Sequence, residues 1–305
     1  MCNQIRRSMV QALLTGVLVC ATTCAMAAER VFDRTFKSMP DGQLTVNADG
    51  ARISVLGGDG DQVVVHIVAN GSQKQLDGMK FSASQSASGV AVELLRSQRS
   101  WFDWGSWNMN TRIEVRVPRT YRVEAKTSGG DVRLEDVAGP SRVRTSGGSI
   151  VVKNVKGGVE GYTSGGAIHL ESVEGVVRAR TSGGGVHAAS VRGDVDAGTS
   201  GGDVSLLRID GKIHANTSGG SIQCELVGAN RGFSATTSGG SIRLTMSKHI
   251  RGTLDAQSSG GEITTDFPVA TLRMTDHSLN GLINGGGEAI YARTSGGGIR
   301  VSATE

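Results

Sequence analysis

The chain has 305 residues with 45 glycines and four cysteines, and its formal charge of +4 comes from 32 basic and 28 acidic residues. Those charges are interspersed without a basic block, which argues against nucleic acid as a partner. Glycine at this level suggests disorder when it is scattered, but here it is periodic, and the period reverses that reading.

The first element is an export signal over residues 1–27. Arg6 and Arg7 precede an apolar run from Met9 to Cys20, and Ala25-Met26-Ala27 supplies a small-x-small cleavage site. The run is too short to span a bilayer and no later stretch replaces it, so the exported chain is expected to be soluble. Val19 and Thr23 precede Cys20 and Cys24 where a lipobox needs a small residue, so lipidation is not expected. Cys2, Cys20 and Cys24 leave with the signal, and Cys224 then has no partner for an internal disulfide. Loss of Arg6 and Arg7 lowers the charge from +4 to about +2.

Residues 28–120 alternate like strands at Gln43 to Val46, Arg52 to Leu56, Val63 to Val68, Val90 to Leu94 and Arg112 to Val117. This segment is expected to start the sheets of the repeat that follows and to cap its first coil, since an uncapped end is an open strand edge. Within it, Ser100-Trp101-Phe102-Asp103-Trp104-Gly105-Ser106-Trp107 holds every tryptophan of the chain. Two roles suit such a stretch. It could fold down as an apolar lid, or Trp101, Phe102, Trp104 and Trp107 could form a contact surface for a protein, a glycan or a membrane interface.

Residues 121–305 are a repeat, and a repeat takes precedence over other signals. TSGG begins at Thr127, Thr145, Thr163, Thr181, Thr199, Thr217, Thr237 and Thr294, with SSGG at Ser258, and the first six starts are 18 residues apart. Five places after each Thr stands a β-branched residue: Val132, Ile150, Ile168, Val186, Val204, Ile222, Ile242, Ile263 and Ile299. A second apolar column follows two places later, with variable residues between, which is the alternation of a strand with one buried face. A second strand leads into the motif with an apolar residue four places before it, Ser141 excepted, and mostly Ala two places before it, as in Val177 and Ala179. Each unit is therefore two short strands and two turns, the Thr pointing inward as part of a hydroxyl ladder. Glycine at both corners is expected to supply backbone angles that a Cβ forbids. One unit cannot bury its own face, but stacked units can. The fold expected is all-β: a flattened parallel β-solenoid with two-strand coils of about 18 residues and an N-terminal β cap. The spacing slips near Ala229-Asn230-Arg231 and Ser247-Lys248-His249. A double step then reaches Thr294 through a coil without TSGG that contains Asn284-Gly285-Gly286-Gly287. A solenoid grows functional loops at such breaks.

Several chemical signatures fail on inspection. Gly198-Thr199-Ser200-Gly201-Gly202 matches G-x-S-x-G, but that motif needs a strand-to-helix turn, and Ser200 is one of nine equivalents in a strand-to-strand corner. Calcium β-rolls need a carboxylate in every loop, whereas the residue after GG varies from Asp131 to Ala167 to Gly185. Hexapeptide acyltransferase coils repeat inward positions at six, not nine. His169 and His187 share an outward position on adjacent coils, two ligands where a metal site wants three or four. No cofactor is expected.

The run Val115-Arg116-Val117-Pro118, then Val123-Glu124-Ala125-Lys126-Thr127-Ser128-Gly129-Gly130-Asp131-Val132, resembles the bacterial putative-adhesin family of β-strand-repeat proteins. The repeated G-x-V-x-A-x-T-S-G-G units and Ile283-Asn284-Gly285-Gly286-Gly287 carry the same likeness over most of residues 40–301. The resemblance implies an exported β-repeat domain without catalytic residues to carry over, and the Trp-rich stretch does not map onto its pattern. The expectation is a non-enzymatic scaffold or adhesin-like interaction protein in the periplasm or beyond, meeting an envelope protein or a glycan. A glycan-active enzyme of lyase or hydrolase type on the same scaffold is the alternative. A structural element that self-associates through a terminal strand edge is the third reading.

Overall fold

The computed structural model describes residues 28–96 and 110–304. Residues 1–27, where an export signal is expected, and the stretch holding Trp101, Phe102, Trp104 and Trp107 lie outside the described residues. The chain forms two sheets, of 13 and 14 strands, and enters them in alternation. From Val123 to Leu226 the coils stack in parallel and in register, so that Ile150 pairs with Ile168, Ile168 with Val186, and Val186 with Val204. The expected inward columns are buried: Val177, Ala179, Val186 and Val204 are fully covered. The flattened solenoid follows from this alternation, since each coil covers the apolar face of the next.

The TSGG corners hold the stack together by a bond that differs from the expected ladder. The hydroxyls do not bond one another. Thr145 Oγ1 donates to the Gly130 carbonyl of the preceding coil at 2.9 Å, and Thr163, Thr181, Thr199 and Thr217 repeat the contact at 2.7–2.8 Å. Most of these hydroxyls also accept an N–H within the corner, as Thr199 does from Gly202 at 3.3 Å. Ser258 makes the same link, to Gly297 at 2.7 Å, so the hydroxyl and not the methyl is what the corner needs. Thr181→Val should therefore cost about 1–3 kcal/mol in urea melts by orphaning a buried carbonyl, while Thr181→Ser should stay within about 1 kcal/mol of wild type.

The reason for the glycines also needs correction. None of the TSGG glycines has a positive φ. The second glycine is required by close approach: a Cβ on Gly148, Gly166 or Gly220 would sit 2.0–2.1 Å from the glycine carbonyl of the coil below. The opposite turn does use conformational freedom, with φ of 130° at Gly175 and 148° at Gly193. Just before that turn lies a column the sequence pattern did not reveal. Asp136, Asn154, Ser172, Ser190 and Arg208, one per coil, all have φ of 53–58°. This left-handed residue skips one place in the alternation and brings Val137, Val155, Val173, Val191 and Ile209 back into the core.

Both ends depart from sequential stacking. At the N-terminal end, Gln43–Ala48 and Arg52–Gly58 pair with the first TSGG coil, and Gly89–Arg96 with Asn110–Pro118 forms the next parallel coil out. Antiparallel strands Met79–Ser86, Gln62–Gly71 and Ala28–Lys37 then close this end. A short helix, Gln73–Asp77, is fixed by a capping box on Ser72 and buries Leu76. Phe32 stacks on Phe81 at 6.3 Å under the Arg30 guanidinium, and the outermost strand carries Glu29, Arg30, Asp33, Arg34 and Lys37. Charge on an edge strand blocks further pairing.

At the C-terminal end, the expected extra coil between Ser258 and Thr294 is absent. Val269–Thr275 and Ser278–Ile283 instead form an antiparallel hairpin on Gly252–Ser258. The chain then turns back. Ala289–Thr294 inserts between Phe233–Thr237 and Gly252–Ser258, and Ile299–Thr304 between Ile242–Ser247 and Ile263–Thr265. The last described strand, Ile299–Thr304, is therefore interior to its sheet. The edges at this end are Ile263–Thr265 and Val269–Thr275, and on the latter Leu272 and Met274 are 66% and 71% exposed.

Candidate functional site

The outward columns bring side chains of adjacent coils within reach of each other, and charge alternates along them. Lys153 Nζ lies 3.0 Å from Glu171, Glu174 lies between Lys156 at 3.9 Å and Arg192 at 3.8 Å, and Glu160 lies between Arg142 at 2.9 Å and Arg178 at 3.6 Å. Arg180 contacts Asp196 at 2.6 Å. Such exposed pairs contribute at most about 1 kcal/mol each. They also oppose slippage, because a coil shifted by one residue would lose its partners.

Two hollows run along these faces. One, of about 470 Å³, follows the left-handed column Asn154, Ser172, Ser190 and Arg208 and is flanked by Lys156, Glu174, Arg192 and Asp210. The other, of about 600 Å³, is lined by Glu124, Arg142, Glu160 and Arg178 among others. Their acids, Glu124 excepted, are already engaged by bases, Asp210 by Arg231 at 3.3 Å.

His169 and His187 stack face to face, centroids 4.9 Å apart and planes 7° apart. Burial first, and then the neighbouring His187, hold the His169 imidazole below its ordinary value. The neutral His169 ring is thus favoured in the fold, and its contribution is present above the ordinary histidine range and fades as pH falls through the lowered value. Among the described residues no three His, Cys, Asp or Glu side chains group as metal ligands. Ser200 stands in a tight corner whose carbonyl accepts the Gly219 N–H at 2.9 Å. Cys224 is fully covered, and burial pushes its thiol up, so it is no nucleophile at neutral pH. No helix among the described residues is long and apolar enough to cross a membrane.

The three breaks in the repeat meet. Gly228-Ala229-Asn230, the Ser247 to Arg251 turn and Gly286-Gly287-Glu288 line one hollow of about 580 Å³ at the C-terminal end. Two asparagine amides join these turns. Asn230 Nδ2 donates to the Arg251 carbonyl at 3.2 Å and to that of Glu288 at 2.7 Å, while its Oδ1 accepts from Gly232 at 3.0 Å. Asn284 Nδ2 donates to the carbonyls of Lys248 at 2.9 Å and Ile250 at 2.7 Å. The sequence marks each break separately. Their convergence depends on the inserted last coil, which the spacing does not encode.

The strands flanking the tryptophan stretch place it in sequence between Gly89–Arg96 and Asn110–Pro118, where other coils carry a TSGG corner. Its residues themselves remain outside the description.

Comparison with solved structures finds likeness to a putative adhesin from Bacteroides fragilis NCTC 9343, at 12% identity and a TM-score of 0.43, over 89% of this chain and 97% of that one. A putative lipid binding protein from Parabacteroides distasonis ATCC 8503 is similar at 12% identity and a TM-score of 0.48, over 89% and 96% of the two chains. A putative adhesin from Parabacteroides merdae ATCC 43184 gives 11% identity and 0.41, over 90% and 97%. No curated protein matches the chain. The family model for the Toastrack domain DUF4097 matches residues 42–302, which takes in every TSGG coil and leaves out the outermost strand Ala28–Lys37, and the chain belongs to that family.

Proposed function

We propose that the chain is an exported, non-enzymatic scaffold that presents a rigid face to a partner in the cell envelope, a protein or a glycan. One observation carries this reading. Most acids lining the two face hollows are held by basic side chains of neighbouring coils, so the faces present fixed, paired charge and not a free acid and base. A stack whose every corner is bonded to the next loses little freedom when a partner docks, which favours recognition. Trp101, Phe102, Trp104 and Trp107, which lie outside the described residues, are the proposed contact residues. Crosslinking and capture from native envelopes, comparing wild type with a Trp101/Trp104/Trp107→Ala variant, tests this. The wild type should capture a component that the variant loses, and equal capture by both would remove the aromatic stretch from the reading.

The edge strand Val269–Thr275 favours a second reading, self-association. It exposes Leu272 and Met274 and carries Arg273 as its one charge, unlike the charged strand that blocks the other end. Sedimentation at rising concentration should show a dimer that Leu272→Lys with Met274→Lys abolishes. A monomer at every concentration would end this reading.

A further inference from the structure

We infer that the hollow where the three repeat breaks meet is a binding site for a carboxylate-bearing saccharide. The site is separate from the scaffold reading, since it would exist whatever the long faces contact. Its volume, about 580 Å³, falls within the ~300–1,000 Å³ range of small-ligand pockets.

The groups available inside it are mostly donors. Arg251 is exposed, and its guanidinium makes no ion pair among the described residues. It lies over bare backbone: a side chain at Gly285 would come within 3.5 Å of its Nη2. Of the two neighbouring glycines that line the hollow, Gly287 has an N–H with no hydrogen-bond partner among the described residues, whereas that of Gly286 is used by the Ile283 carbonyl at 3.0 Å. His249 adds an imidazole and Ser247 a hydroxyl. Against these stands one acceptor with a charge, Glu288. The side-chain N–H groups of Asn230 and Asn284 are spent on joining the turns and are not offered to a ligand.

A donor surplus wants a ligand rich in acceptors. A planar guanidinium beside the unpaired Gly287 N–H fits a carboxylate, which takes two parallel bonds from arginine. The lone acid then suits a donor elsewhere on the same ligand, and a sugar ring supplies hydroxyls besides its carboxylate. A bare anion would leave Glu288 facing it unfavourably. Preorganisation by the two asparagine amides means that little ordering accompanies binding.

The test is calorimetry on the exported full chain with a galacturonate trisaccharide, its methyl ester and inorganic phosphate. The acidic sugar should bind in the millimolar range or tighter, and the methyl ester at least tenfold more weakly. Arg251→Ala should lose at least tenfold with an unchanged melting curve, and Arg34→Ala on the outermost N-terminal strand should leave binding as in wild type. Equal binding of sugar and ester, or an unaffected Arg251→Ala variant, would overturn the proposal. Phosphate binding as strong as the acidic sugar would overturn the saccharide assignment, and absence of binding to all three would overturn the site.

Discussion

Gly202→Ala should destabilise the protein by about 3 kcal/mol, whereas Gly201→Ala, one residue earlier in the same corner, should cost less than about 1 kcal/mol. A Cβ on Gly202 would stand 2.3 Å from the Gly184 carbonyl oxygen and 2.5 Å from its carbon, both backbone atoms of the coil below. Neither can move without parting two bonded coils. A Cβ on Gly201 would meet the Gly183 oxygen at 3.3 Å, a contact relieved by a few tenths of an ångström. Backbone angles cannot account for such a difference, since neither residue has a positive φ. Urea melts of the two variants measure it directly, and equal losses would return the motif to an ordinary turn.

Ending the chain after Glu288 should be far more damaging than trimming the last unit of a simple stack. The missing strands Ala289–Thr294 and Ile299–Thr304 are interior and bury Ile290, Ala292, Ile299 and Val301 almost completely. Three large side chains at about 1.5–3 kcal/mol each amount to roughly 5–9 kcal/mol, on the order of a whole domain's stability. Gly252–Ser258 and its hairpin would lose their only link to the stack in that sheet. Limited proteolysis should then cut readily from about residue 250 onward, and the melting midpoint should fall sharply. A truncated protein that melts like wild type would show that the last coil sits outside.

Much of the central stack was legible because its information is local. The inward parity of Ile150, Ile168, Val186 and Val204 follows from alternation, and the stacking follows from a unit that cannot cover its own face. Other features come from contacts between coils and leave no local mark. Gly148 looks like any turn glycine until the Gly130 carbonyl is placed against it. The left-handed column of Asp136, Asn154, Ser172, Ser190 and Arg208 hides behind four different side-chain chemistries. The helix Gln73–Asp77 and the hairpin after Phe267 are single occurrences in a sequence dominated by its repeat. For the candidate sites the division is similar. The breaks at Asn230, Ser247 and Asn284 are visible as slips of spacing, but only the inward return of the last coil makes them neighbours.

That return is therefore the point on which both the C-terminal fold and the proposed sugar site depend, and disulfide trapping tests it most directly. Arg243 is the strand neighbour of Arg300, which in turn neighbours Thr264. Bridging requires Cα atoms about 4.4–6.8 Å apart, and strands one removed stand about 9–10 Å apart. Cys224 is buried and should not compete. Under mild oxidation an Arg243→Cys/Arg300→Cys protein should crosslink in high yield, while Arg243→Cys/Thr264→Cys should remain reduced. The opposite result, a bridge between 243 and 264 and none between 243 and 300, would contradict the inserted coil and dissolve the pocket built beside it.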